Sequence, residues 1–244
     1  MDLSGKSILV TGAARRLGRA IALELAGAGA HLIVHHHASD AEADDTCDAI
    51  RRLGSQALAL RADLGFHDQI LSLFEAIDRA GPLHALVNSA AVMLPGDLLT
   101  ATESDWQATM DLNLKAAFFV LQQAAIRMRR AGGGVVVNLA DIAGLQPWPR
   151  FPLHSISKAG VLALTQVAAL ALAPEIRVNA VVPGPVLKPD RMTDDRWRTF
   201  GDSLPLRRTG TPGDVARSVR FLLENDFVTG EALLVDGGNQ FVSL

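Results

Sequence analysis

The residues best placed to do chemistry begin at the N-terminus. Ile8, Leu9 and Val10 form an apolar run, Thr11-Gly12-Ala13-Ala14-Arg15-Arg16-Leu17-Gly18 follows, and an alanine-rich segment comes next. A buried strand that turns through glycine into a helix makes an anion site. The first helical N–H groups have no partner within the helix, and they carry the positive end of its dipole. The small residues Gly12, Ala13 and Ala14 let a phosphate come close to the backbone. An ordinary tight turn uses the same residue types, so the surroundings must decide between the two.

Further polar residues stand where apolar runs stop. The second run leads into His35-His36-His37-Ala38-Ser39. Successive strand residues point to opposite faces, so these three imidazoles do not converge on one ion, and no metal is expected. A dinucleotide fold that prefers NAD ends this strand with an acidic residue for the ribose 2′-hydroxyl, and that position is not acidic here. Ser39 can hydrogen-bond a 2′-phosphate with Arg16 supplying charge, or it can cap the following helix; the two roles are compatible. Asp63-Leu64 follows the third run, and an Asp there can accept from an adenine amino group. Asn88-Ser89-Ala90-Ala91 follows the fourth, where small residues leave room for a ribose. Asn113 lies among Leu112, Leu114 and Phe118. A buried amide needs partners, so it either braces backbone or holds a water near the chemistry.

These positions need a scaffold, and the chain is long enough to build one. Its 244 residues are 49% hydrophobic and carry a net charge of −3, without a Lys/Arg cluster that would favour nucleic acid or an anionic membrane. A small-molecule substrate fits better. Cys47 is the single cysteine, which suits a reducing compartment, and Met1-Asp2-Leu3-Ser4-Gly5-Lys6 is no apolar signal segment. The longest apolar run, 161–173, is too short to span a bilayer, so a cytoplasmic protein is expected. Strand-like runs at 7–10, 31–34, 57–60, 85–88, 134–139, 177–182 and 232–235 alternate with helical patterns, 104–130 among them. This is the pattern of repeated βαβ units. The runs are almost wholly apolar, as strands covered by helices on both faces must be. The expectation is a single-domain α/β Rossmann-type fold over residues 1–244, a doubly wound parallel sheet of about seven strands with its ligand at the carboxyl ends.

In these motifs the chain resembles the short-chain dehydrogenase/reductase family over essentially its whole length. The turn at 11–18 resembles the family's cofactor turn, Asp63-Leu64 its adenine clamp, and Asn88-Ser89-Ala90-Ala91 its Asn-Asn-Ala-Gly motif. Asn113 is similar to the catalytic asparagine, and Ser157-Lys158-Ala159 to the Tyr-x-x-x-Lys segment. Arg177-Val178-Asn179 with Pro183-Gly184, then Thr229-Gly230 with Val235-Asp236-Gly237-Gly238, complete the series. Arg16 in place of the middle glycine, together with the His-rich strand end, resembles the pteridine reductase branch. The resemblance implies NADP(H) in preference to NAD(H), held by Gly12, Arg16, Leu17, Gly18, His37, Ser39, Asp63, Leu64, Asn88, Ala90, Lys158, Pro183 and Gly184. It also implies a homotetramer assembled through the helix containing Asn113 and the helix over 155–173.

The likeness breaks where the family keeps its proton donor. The tyrosine position is His154, the serine position thirteen residues earlier is Asp141, and the chain contains no tyrosine. The pteridine reductase branch also carries Asp at the serine position, but not His at the tyrosine position. Two readings follow. In one, Asn113, Asp141, His154 and Lys158 form a working site, with His154 giving the proton as imidazolium or polarising a carbonyl through a neutral N–H. In the other, the chain binds a dinucleotide or ligand without turnover. For substrate, the phenylalanine that stacks pterin corresponds to Met93, with Asp141 and His154 beside it, and 187–206 corresponds to the family's mobile lid. A pterin comes first among the expected substrates, with a small ketone, sugar or acyl carbonyl behind it.

Overall fold

Seven strands form the sheet: β1 (Ser7–Val10), β2 (His31–His36), β3 (Ala57–Arg61), β4 (Ala85–Asn88), β5 (Gly134–Leu139), β6 (Ile176–Pro183) and β7 (Ala232–Val235). They belong to a computed structural model that describes residues 1–242. Every pairing is parallel, and the order is β3-β2-β1-β4-β5-β6-β7. β2 and β3 extend beyond their apolar runs because His35 pairs with Leu60 and His36 with Arg61, and ladder hydrogen bonds do not depend on side-chain polarity.

Helices cover both faces. Ile8 and Val10 pack with Ile21 and Leu25 of α1 (Arg16–Gly27) and with Val215 and Val219 of α8 (Pro212–Glu224). Leu9, pointing the other way, packs with Phe74 and Ile77 of α3 (His67–Ala80) and Val120 of α5 (Ala116–Arg130). One strand thus feeds two cores, which is why its sequence is apolar throughout. The chain fills one side of the sheet with α2 (Asp40–Arg52) and β3, then returns past β1 to β4. That reversal opens a crevice at the carboxyl ends of β1 and β4, the usual ligand position in such sheets.

Two helical expectations are corrected. The continuous helix over 104–130 is α4 (Glu103–Met110), a π turn (Asp111–Lys115) and α5. The apolar spacing on either side is helical, so the extra residue leaves no mark in the periodicity. Such turns cluster at functional positions because they redirect one side chain within an otherwise continuous helix, and here that residue is Asn113. The other is α6 (Pro152–Leu172), which starts earlier than 155, with proline in its first turn where a missing N–H costs nothing. Its 21 residues are long and apolar enough to cross a membrane by length and composition. In the fold it packs against β6 and the π turn, with His154, Ser157, Lys158 and Val161 buried.

Candidate active site

The turn after β1 is held from two sides. On one, the Thr11 hydroxyl accepts from the Ser89 and Ala90 amides just beyond β4, at 2.9 and 3.0 Å. On the other, the Gly12 amide donates to His35 Nδ1 at 3.1 Å, and the Ala13 amide to the His35 carbonyl at 2.9 Å. Gly12 has φ +65°, and a Cβ there would lie 3.0 Å from Ala90 Cα. A Cβ at Gly18 would lie 2.3 Å from the Gly12 carbonyl oxygen, so both positions require glycine. The first turn of α1 has no side-chain cap and no acidic residue, which leaves its amides open to an anion. Arg16 takes up φ +53°, the left-handed conformation that a glycine adopts without cost, at an expense of about 1–2 kcal/mol. Its side chain is exposed and makes no ion pair among the described residues.

Next to this turn, Ser39 occupies the N-cap of α2 but its hydroxyl makes no capping bond, which leaves it free for a ligand. His37 Nε2 lies 3.5 Å from Asp63 Oδ2, while Asp63 Oδ1 accepts from the Gly65 amide at 3.0 Å. A carboxylate does reach this corner after all: Asp40 Oδ1 stands 3.9 Å from His36 Nδ1 and 3.8 Å from Arg61 Nη1. It closes the same run in the sequence, one residue after Ser39, and it enters from the first turn of α2 rather than from the strand end. The three histidines diverge: His35 is buried with both ring nitrogens engaged, His36 is buried, and His37 is exposed.

Across the crevice, Asn113, His154 and Lys158 come together. Asn113 Oδ1 accepts from the Val92 amide at 2.8 Å, and its Nδ2 donates to the Val92 carbonyl at 2.9 Å and to Ser157 Oγ at 3.0 Å. Ser157 Oγ in turn donates to the His154 carbonyl at 2.7 Å. Asn113 therefore braces backbone, the first of the two roles open to it. Asn88, read as a cofactor residue, spends its amide on the Ala117 carbonyl and on Asn138, whose own amide donates to Thr165. Its contribution is to lock β4 to β5 and α5, which leaves Ser89 and Ala90 to reach Thr11. Sequence reading gave no role to Asn138 or Thr165 and named Ser157 only as part of the lysine motif, since a polar residue inside an apolar run gives no sign of its partner.

His154 is 3% exposed, and its Nδ1 lies 3.2 Å from the Val92 carbonyl. A carbonyl only accepts, so the neutral ring carries its proton on Nδ1 and leaves a bare, buried lone pair on Nε2. Nε2 has no hydrogen-bond partner among the described residues and stands 3.7 Å from Asp141 Oδ2. This corrects the expectation that a neutral N–H could polarise a carbonyl, because the only neutral N–H is already committed to Val92. Asp141 Oδ1 meanwhile accepts from the Ala143 amide at 2.8 Å, which fixes the carboxylate. Lys158 donates to the Leu139 carbonyl at 2.7 Å. Burial lowers its pKa to about 8, with the Asp141 carboxylate partly opposing the fall. Met93, next to Val92, is half exposed; Leu64 is buried, and Pro183-Gly184 closes the end of β6, where a Cβ on Gly184 would lie 2.6 Å from that of Asp236.

Fold and site together define a crevice at the carboxyl ends of a doubly wound sheet with a buried imidazole, lysine and carboxylate beside it, and comparison with known proteins gives that class its name. A family model described as Enoyl-(Acyl carrier protein) reductase matches residues 12–240. The 3-oxoacyl-[acyl-carrier-protein] reductase FabG of Staphylococcus epidermidis is 34% identical over 239 residues, covering 96% of this chain and 98% of that protein. The 3beta-hydroxysteroid dehydrogenase 1 of Eggerthella lenta is 32% identical over 246 residues, covering 97% and 94%. A candidate short-chain alcohol dehydrogenase of Sinorhizobium meliloti 1021, known from its crystal structure, superposes with a TM-score of 0.92 at 32% identity, and 99% of each chain is covered. The chain belongs to the short-chain dehydrogenase/reductase family of oxidoreductases.

The buried lysine has a measurable signature. Its folded pKa of about 8 lies below the 10.5 of an ordinary lysine, so between these limits the unfolded chain binds more protons than the folded one. Stability then rises with pH across that window, by a total of about 3 kcal/mol from this group. Urea unfolding of wild type and Lys158→Met should diverge in this sense: the wild type gains on the variant between about pH 8 and about pH 10. A constant difference would place the lysine pKa in the ordinary range.

Proposed function

We propose that this protein is an NADP(H)-dependent oxidoreductase that interconverts a secondary alcohol and a carbonyl, with His154 carrying the proton. The single observation that carries the reading is the bare Nε2 of His154, buried, without a partner and beside Asp141. The residues fit a dinucleotide: uncapped amides at the start of α1, close backbone at Gly12 and Gly18, and a free Ser39 hydroxyl. Such a cofactor supplies or accepts the hydride. In the oxidising direction His154 Nε2 takes the hydroxyl proton as the hydride leaves the carbinol carbon. In the reducing direction the imidazolium returns a proton from Nε2 to the carbonyl oxygen. The Val92 carbonyl holds the ring in place, and Asp141 stands at ion-pair distance from the protonated form. Residues 187–206, which contain α7 (Asp194–Ser203), cover the substrate in this reading. The named relatives act on a 3-oxoacyl group and a hydroxysteroid, both in line with carbonyl and alcohol chemistry. Asp141 keeps a pterin among the acceptors, although half-exposed Met93 offers it no flat ring.

The test is NADPH consumption with ketones, acyl carbonyls, quinones and pterins, and cofactor reduction with the matching alcohols. His154→Phe should lose about 10²-fold or more in turnover at unchanged NADPH affinity, whereas His154→Tyr should retain activity. Turnover only in the Tyr variant, or none in either, would leave the chain as a dinucleotide-binding protein without this chemistry.

Cofactor choice is tested separately. Arg16, with no ion partner, supports tighter binding of NADPH than NADH by about 1–3 kcal/mol, against which Asp40 acts at the same corner. Fluorescence titration should show Arg16→Ala collapsing the ratio, and equal affinities in the wild type would end the proposal.

Assembly is the remaining expectation. Trp106 and Phe118 on α4 and α5, and Ile156, Val167 and Leu170 on α6, are exposed apolar residues, with Leu170 at 84%. Apolar area of this kind supports the homotetramer. Light scattering at micromolar concentration should give four times the chain mass, and a monomer would overturn it.

A further inference from the structure

His35 is a buried polar group to which the chemistry above gives no task. It is 2% exposed at the end of β2, yet both ring nitrogens are engaged. Nδ1 accepts from the Gly12 amide at 3.1 Å, and Nε2 lies 3.0 Å from the Ala62 carbonyl at the end of β3. An amide only donates and a carbonyl only accepts, so one tautomer satisfies both: neutral, with the proton on Nε2. Burial holds the ring in that form and pushes its pKa down to about 4. The hydrogen bond to Ala62, opposing in sign, is the next largest influence, and His36 and His37 lower it further while Asp63 raises it. The backbone of the same residue accepts from Ala13. A single side chain therefore ties the turn after β1 to the ends of β2 and β3.

We infer that His35 is a positioning residue for the dinucleotide: it fixes the Gly12 peptide so that the uncapped first turn of α1 meets the cofactor pyrophosphate without rearrangement. The inference rests on the dinucleotide reading. The Gly12 amide, aimed at His35, is withdrawn from ligand binding, so the remaining donors are those of the first turn of α1. A turn held in one conformation before the ligand arrives loses less freedom on binding, and affinity rises accordingly. The Thr11 hydroxyl holds the β4 side of the turn, and without His35 the other side keeps the backbone bond from Ala13 and the Thr46 hydroxyl on the Ala14 carbonyl, leaving the Gly12 peptide without an acceptor. The pyrophosphate is common to both cofactors, so the effect does not depend on the 2′-phosphate.

Two substitutions separate this role from packing. Asn carries an oxygen where the imidazole carries Nδ1, so His35→Asn keeps the acceptor for Gly12 and loses only the reach to Ala62. His35→Leu loses both. Titrating each variant with NADPH and with NADH by fluorescence, with thermal unfolding alongside, should show His35→Leu weaker by at least about tenfold for both cofactors alike. His35→Asn should stay within about threefold of wild type even if its melting temperature falls as far as that of the Leu variant. Should His35→Leu fail to fold, the Asn variant decides alone: affinity near wild type despite a lowered melting temperature supports the role, and affinity lost in step with stability overturns it. Unchanged or tighter binding in His35→Leu, or a loss confined to NADPH, overturns it too. A wild type that binds neither dinucleotide would instead bring down the dinucleotide reading and this inference with it.

Discussion

The paired hydrogen bonds between the Asn113 side chain and the Val92 peptide are the constraint on which the reactive end depends. The loop after β4 has no ladder of its own there, and an amide in place of a neighbouring strand satisfies its N–H and C=O together. For Asn113 to do this, its helix must admit the π turn at Asp111–Lys115. The same Val92 carbonyl also receives His154 Nδ1, so both lone pairs of one oxygen are spent on two residues from different helices. Ser157 ties the assembly to α6 through Asn113 and the His154 carbonyl. Removing any one partner would leave a buried polar group unpaired, which costs about 1–3 kcal/mol each.

That arrangement also decides what His154 is. With Nδ1 committed, the neutral ring is a base at Nε2, and it becomes a donor there only by taking on a charge. A phenol in the family's tyrosine position donates while neutral; an imidazole held in this way does not. In the proposed reaction, direction and protonation state are therefore linked more tightly than for a phenol. The nearby charges are fixed in place, with Asp141 held by the Ala143 amide and Lys158 by the Leu139 carbonyl. Dipoles and charges placed before reaction need no reorganisation during it.

At the other end of the crevice the chain stores strain where the family has glycine. Arg16 adopts a left-handed conformation that costs it about 1–2 kcal/mol, in a turn that Thr11, Gly12 and His35 anchor to the neighbouring strands. The opposing carboxylate of Asp40, shared between His36 and Arg61, tempers the positive charge of this corner.

The sequence by itself determined the seven parallel strands, the helices between them, the crevice at the strand ends and the family, because apolar runs, glycine turns and their order are local properties written along the chain. It also singled out Asn113, Asp141, His154 and Lys158, which fold to the same end of the crevice. It could not show the π turn, since one extra residue leaves the apolar spacing on either side intact. It left Asn113 between two roles and Ser39 between cap and ligand contact, it named His35 and Ser157 without their hydrogen-bonding roles, and it gave no role to Asn138 or Thr165. Only the tertiary structure decided which carbonyl meets His154 Nδ1, and hence its tautomer, and only it brought Asp40 to Arg61 and His35 to Gly12. The physical reason is common to all of these. A hydrogen bond joins a side chain to whatever group the packing of distant elements carries to within about 3 Å, and no periodicity in the chain records that meeting.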